Sequence, residues 1–174
     1  MANIQNVRIG PASLTWKTQD LGNTLGGVKL SFDRNFTNLK VDKYGDTPVD
    51  AALTGTMIKI TVKIAEPVVS MIQRVLPEGA FNTGALGSQV GLAAGEGLLM
   101  RQFAGLLVLH PTSKAPSDFS EDVSIYQAFP SSSPTDLNYE VNNQRVYSLE
   151  FTALVDESYT AGKRLGHIGP TSVS

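Results

Sequence analysis

The sequence predicts a single, mainly β domain with one substantial helix packed on a sheet. Three observations predict it. Apolar and polar residues alternate on a two-residue period in several runs, most clearly over Thr54 to Ala65. The period switches to three and four residues over Glu66 to Leu76. Clusters of Gly, Pro, Asn and Asp punctuate the runs at short intervals. A chain of 174 residues suits one domain, 1–174, and can bury a core.

Taken in order, Val7 to Ile9 and Ala12 to Lys17 are short extended segments split by Gly10-Pro11. Asp20-Leu21-Gly22 and Gly26-Gly27 read as turns. Val28, Leu30 and Phe32 then alternate with Lys29, Ser31 and Asp33. After Asn35, Thr37, Leu39 and Val41 alternate with Asn38, Lys40 and Asp42. The spacing predicts that Val28 to Arg34 and Phe36 to Lys43 pair as a hairpin. Tyr44 to Asp50 holds Gly45, Asp46 and Pro48 and reads as a loop. In Thr54 to Ala65, Ile58, Ile60, Val62 and Ile64 face one way, and Lys59, Thr61 and Lys63 the other. β-Branched residues on this period favour strand.

Val68, Met71, Ile72, Val75 and Leu76 form a helical stripe. Pro67 fits the first helical position, and Pro77 with Gly79 ends the helix. Gly79 to Gly97 is a long glycine-rich loop, expected to be mobile or ordered from outside the monomer. Leu98 to His110 reads as a buried strand, Pro111 to Glu121 as loop, and Asp122 to Phe129 as a strand closed by Pro130. Leu137 to Val141 and Gln144 to Asp156 flank Asn142-Asn143, a tight hairpin signal. In the second arm Tyr147, Leu149, Phe151, Ala153 and Val155 alternate with Ser148, Glu150 and Thr152. The tail from Tyr159 onward is expected to be ordered by contacts.

Composition narrows function. The net charge is -2, without the Lys/Arg surplus that phosphate neutralisation requires. With no cysteine there is no disulfide framework, thiolate metal site or thiol nucleophile. The two histidines, His110 and His167, lack a second His at metal-ligand spacing and read as ordinary polar residues at a strand end and in the tail. Gly87-Ser88-Gln89-Val90-Gly91 misplaces its serine for a nucleophile elbow. The adjacent acids Glu121-Asp122 and Asp156-Glu157 read as solvated strand ends, since neighbouring strand residues point to opposite faces. No catalytic or cofactor fingerprint remains, and the chain reads as a non-enzyme with no cofactor. Several strands have one apolar and one polar face, the signature of a sheet wet on one side. Open edges of such a sheet invite pairing with another chain, and a ring of copies would satisfy them.

One set of motifs is more specific. Asp20-Leu21-Gly22, Gly26-Gly27-Val28, Val41-Asp42-Lys43-Tyr44-Gly45-Asp46-Thr47-Pro48-Val49-Asp50 and Leu53-Thr54-Gly55, followed by an alternating strand, resemble the tail tube proteins of long-tailed bacteriophages. The likeness is strongest over the first third to half of the chain; beyond that it rests on element order and size.

The resemblance implies a subunit of two packed β-sheets, a sandwich or partial barrel, with one flanking helix. Inner sheets of six subunits join into a continuous barrel, and the hexameric rings stack into a hollow tube for DNA delivery. The implied partners are further copies of the chain, a tape-measure protein, and tail terminator and baseplate or tail-tip proteins. Contractile tails add a sheath. Genomic DNA passes without specific binding, and no small-molecule substrate is implied. The implied location is the virion tail, assembled in the host bacterial cytoplasm.

On this reading the candidate lumen-facing residues are Lys29, Ser31, Asp33, Asn38, Lys40, Asp42, Lys59, Thr61, Lys63, Ser148, Glu150 and Thr152. The candidate inter-subunit or inter-ring loop residues are Tyr44, Gly45, Asp46, Thr47, Pro48, Val49 and Asp50, with Gly84, Gly87, Gly91 and Gly95. The alternatives are a tube subunit of a contractile injection or type VI secretion apparatus, and a monomeric ligand-binding β-barrel.

Overall fold

A computed structural model describes residues 10–65, 69–76, 79–91, 96–131 and 146–171. Among the described residues the chain is mainly β, with two antiparallel sheets and one α-helix. The expected strand Val7 to Ile9, the helix-bounding Pro67 and Pro77, the loop residue Gly95 and the hairpin at Asn142-Asn143 lie outside these residues.

The strands are β1 (Ala12–Trp16), β2 (Gln19–Asp20), β3 (Thr24–Lys40), β4 (Pro48–Ile64), β5 (Phe81–Gly84), β6 (Gly87–Val90), β7 (Gly105–Pro111), β8 (Val123–Pro130), β9 (Tyr147–Leu154) and β10 (Gly166–Ile168). The helix, α1, spans Val69–Val75. The large sheet runs β2-β1-β7-β8-β9-β4-β3, with β10 paired to β8; β5 and β6 form the small one.

The large sheet folds over onto itself around one core. Trp16 on β1 meets Phe151 on β9 edge to face, with centroids 5.4 Å apart, although β7 and β8 lie between those strands. Its indole N–H donates to the Ala128 carbonyl on β8 at 3.0 Å. Alternation supplies the rest. Ile58, Ile60, Val62 and Ile64 of β4, Leu107 and Leu109 of β7, and Tyr147, Leu149 and Phe151 of β9 all point inward and are buried. The helix adds Met71 and Val75, one stripe of its surface, as the three-and-four spacing requires. Each such side chain contributes roughly 1.5–3 kcal/mol by leaving water.

The β1–β2 turn is Lys17-Thr18, with φ of 49° and 66°. Positive φ at both central positions is a type I′ turn, which fits the strand twist but favours Asn and Gly. The Lys17 ammonium lies 4.8 Å from the Trp16 ring centroid. A β-branched residue in left-handed backbone is disfavoured, so Thr18→Gly should raise stability by about 1 kcal/mol, seen as a later midpoint in urea unfolding.

The structure differs from the sequence reading at several elements. Val28 to Arg34 and Phe36 to Lys43 do not pair with each other; Val28 to Arg34 and Phe36 to Lys40 both belong to β3, 17 residues long, whose partner is β4, of equal length. A hairpin turning at Asn35 alone has too few residues to reverse the chain. Asn35 stays extended opposite Gly55, and the irregularity falls on β4, where Thr54 is the extra residue between Gly55 and Leu53. The reversal occurs at 41–47, where a 3-10 turn over Asp42–Tyr44 leads into Gly45 at φ 59°. Pro48, Val49 and Asp50 are strand, not loop.

Gly26-Gly27 is a bulge inside β3, not a turn: φ is 77° and 85°, and the register shifts between Thr24 and Val28. Leu98 to His110 is strand only from Gly105; Met100–Phe103 is a 3-10 turn. Much of Gly79 to Gly97 is not loop but the β5–β6 hairpin, closed by Ala85-Leu86 with Gly87 at φ 127°. The tail contributes β10, which lies on β8 with His167 opposite Ser124.

Candidate assembly surfaces

Three surfaces stand out: a polar sheet face, a projecting hairpin and an apolar groove. The polar face spans β3, β4 and β9. Lys29 pairs with Thr61, which pairs with Glu150. Ser31 pairs with Lys59, which pairs with Thr152, while Lys63 lies opposite Ser148 and Asp33 opposite Met57. Directly paired residues share a face, so these predicted residues come together on the side away from the core. Lys59 reaches Glu150 at 3.3 Å, and both remain about one-third exposed, so this ion pair is weakly stabilising at best.

Asn38, Lys40 and Asp42 depart from this face. Because β3 is continuous, parity carries on from Lys29, and odd-numbered residues stay on the polar side. Asn38 and Lys40 therefore project from the side of Val28, Leu30 and Phe32, opposite Ala51 and Pro48. Asp42 sits in the 3-10 turn.

The hairpin is the distal half of β3–β4. Toward its root the core-facing row is buried, ending at Ile58 with 6% exposure. Beyond it the same face continues uncovered through Phe32, Phe36 and Leu53, all half-exposed. Leu39, Val41, Tyr44, Val49 and Met57 are exposed as well. Leu39 and Met57 belong to the polar side by the same parity, so on the core-side face Phe32, Phe36 and Leu53 present roughly 300 Å², at on the order of 100 Å² each. That is the size of the largest apolar patch on an ordinary monomer, roughly 300–600 Å², which is often functional. The tip is ordered by local bonds: Tyr44 N–H to the Val41 carbonyl at 3.0 Å, Thr47 N–H to the Tyr44 carbonyl at 3.2 Å, and Lys40 to Asp46 at 2.9 Å. Of the predicted loop residues, Tyr44, Gly45, Asp46 and Thr47 build this tip, while Pro48, Val49 and Asp50 begin the returning strand.

Gly84 and Gly87 close the β5–β6 hairpin, whose apex presents a fully exposed Leu86. Gly91 follows β6, with its N–H on the Ala80 carbonyl at 2.6 Å.

The groove was not legible in the sequence. It lies on the outer side of β1 and β7, has a volume of about 350 Å³, and is walled by Thr15, Leu106, Val108, Pro116 and Phe119. Leu106 and Phe119 are exposed large apolar residues. The wall at 112–121 is held by Lys114, which bridges Asp118 and Glu121 at 3.1 Å each. The Ser120 hydroxyl, the Lys114 ammonium and the Ser120 backbone N–H hold the Asp118 carboxyl down at about 2. Since the folded value is depressed, this tie is fully present above the ordinary carboxylate value and is lost as pH falls through about 2. A carboxyl-carbon NMR titration should give a midpoint near 2 for Asp118; a midpoint near the model-peptide value of about 3.9 would show that the wall is open.

The histidines serve the sheet. His110 Nδ1 lies 2.7 Å from Asp122 Oδ1, and the Gly169 N–H donates to the Asp122 carbonyl at 2.8 Å. Asp122 is thus buried and bonded rather than a solvated strand end. The Ser13 hydroxyl donates to the His110 carbonyl, not to its ring. Tyr126 bonds His167 Nδ1 at 2.9 Å and stacks on Tyr159 at 3.6 Å. Among the described residues no group of three His, Cys, Asp or Glu could hold a metal ion, and no helix is long and apolar enough to cross a membrane. No protein-family model matches the chain, and no curated protein matches it.

Proposed function

We propose that the chain is a structural subunit of a bacteriophage tail tube, assembling into stacked hexameric rings around a conduit for DNA. The observation that carries the reading is the β3–β4 hairpin, whose apolar face runs out of the core and stays uncovered along its distal half. A soluble monomer gains nothing from exposing that face, whereas a copy of the chain that covers it gains a core-like contact. Two further features support it. The turn and strand motifs of the first half resemble those of tail tube proteins. The edge strand β3 carries 17 residues, and among the described residues no strand pairs its outer side, which leaves a template for pairing with a neighbour. On this reading Lys29, Ser31, Asp33, Lys59, Thr61, Lys63, Ser148, Glu150 and Thr152 face the lumen, and the hairpin makes the contacts between copies.

Negative-stain microscopy of the concentrated, purified chain tests it. Hollow tubes or rings with a central hole are expected. Particles of monomer size only, at every concentration tried, would favour a ligand-binding barrel instead.

A further inference from the structure

Resting on that self-assembly reading, we infer that the hairpin of one copy seats its Phe36–Leu53 pair in the groove between Leu106 and Phe119 of the next copy. Among the described residues, the hairpin face and the outer groove of β1 and β7 are both apolar and uncovered. The hairpin does not fill its own molecule's groove, which no residue of β3 or β4 lines. Contact between different surfaces of identical copies is head to tail, and repeats until it closes into a ring or extends as a filament.

Charge favours this match over hairpin-to-hairpin pairing. On the core-side face, between Phe32 and Asn38 and across to Thr56, Leu53 and Ala51, the single charged residue is Arg34. Asp33 and Asp50 point to the other side, and Lys40 is already bonded to Asp46. The groove's wall is the converse: Asp118 and Glu121 share one lysine, Lys114. Two hairpins laid face to face would bring Arg34 toward its own copy and leave both grooves open. One hairpin in a groove brings Arg34 to a wall where two carboxylates share one lysine, and covers both apolar surfaces.

The absence of cysteine makes the test direct. Phe36→Cys and Phe119→Cys are made as separate chains, each checked for assembly by sedimentation, then mixed and oxidised. A covalent dimer in the mixture, and none from either chain alone, is expected, because a disulfide needs Cα atoms within about 7 Å. The pair Leu53→Cys and Leu106→Cys repeats the test should the first pair weaken assembly. A dimer from Phe36→Cys alone would show hairpins pairing with each other and overturn the inference. Assembly without a cross-link from either mixture would also overturn it while leaving the tube reading standing. Failure of the unaltered chain to assemble would remove both.

Discussion

Phe36→Glu should leave a folded monomer that no longer assembles. Phe36 is 56% exposed in the single chain and has Leu53 as its cross-strand neighbour, so the monomer loses little when the ring is removed. The assembled state loses more. Burying the rest of a phenylalanine is worth about half of the roughly 1.5–3 kcal/mol for a whole side chain, and the new carboxylate must be desolvated without a partner. Together these come to about 3 kcal/mol per contact, which raises the concentration needed for assembly by roughly 100-fold. Circular dichroism should match the unaltered chain, while sedimentation shows monomer alone. Normal assembly by this variant would show that the apolar hairpin face is not buried between copies.

Trp16→Ala should have the largest effect on folding. Trp16 is buried, packs on Phe151 and supplies the N–H that satisfies the Ala128 carbonyl across β7. Removing an indole from a core costs about 3–5 kcal/mol, and the unsatisfied carbonyl adds about 1 kcal/mol more. Against a domain stability of about 5–15 kcal/mol, that removes about a quarter of the margin at the upper end and all of it at the lower end. Trp16→Phe separates the two contributions: it keeps much of the packing, loses the donor, and should cost about 1–2 kcal/mol. Thermal melts followed by circular dichroism would order the three proteins. Equal melting of Trp16→Ala and the unaltered chain would mean that the two halves of the sheet do not depend on this contact.

The parts of the fold with unbroken periodicity were legible. Ile58 to Ile64 and Tyr147 to Phe151 alternate where the structure buries every second residue, and Met71 and Val75 mark the buried side of α1. Legibility failed where punctuation did not mean a turn. Gly26-Gly27 bends β3 without ending it, and Asn35 remains extended because Thr54 absorbs the register shift on the opposite strand. Treating Phe36 as a fresh start reversed the parity, which put Asn38 and Lys40 on the polar face rather than the opposite one. The β5–β6 hairpin was hidden because strands of four residues, bounded by glycine, carry too few side chains to show a period.

The candidate surfaces were legible unevenly for a related reason. The tip at Tyr44 to Thr47 announces itself by Gly, Asp and the following Pro. The polar face followed from alternation alone. The groove left no sign, because the run Leu106 to Leu109 reads as buried on both sides, and only the fold shows Leu106 pointing outward beside Phe119. Exposure of apolar residues is a property of what fails to cover them, which a one-dimensional pattern does not contain.

Sedimentation velocity on the unaltered chain across a wide concentration range tests the central claim most directly. The account predicts a discrete species of six times the 18.6 kDa chain mass, giving way to larger stacked forms as concentration rises. A single 18.6 kDa species throughout, even with tail-initiating partners added, would contradict it.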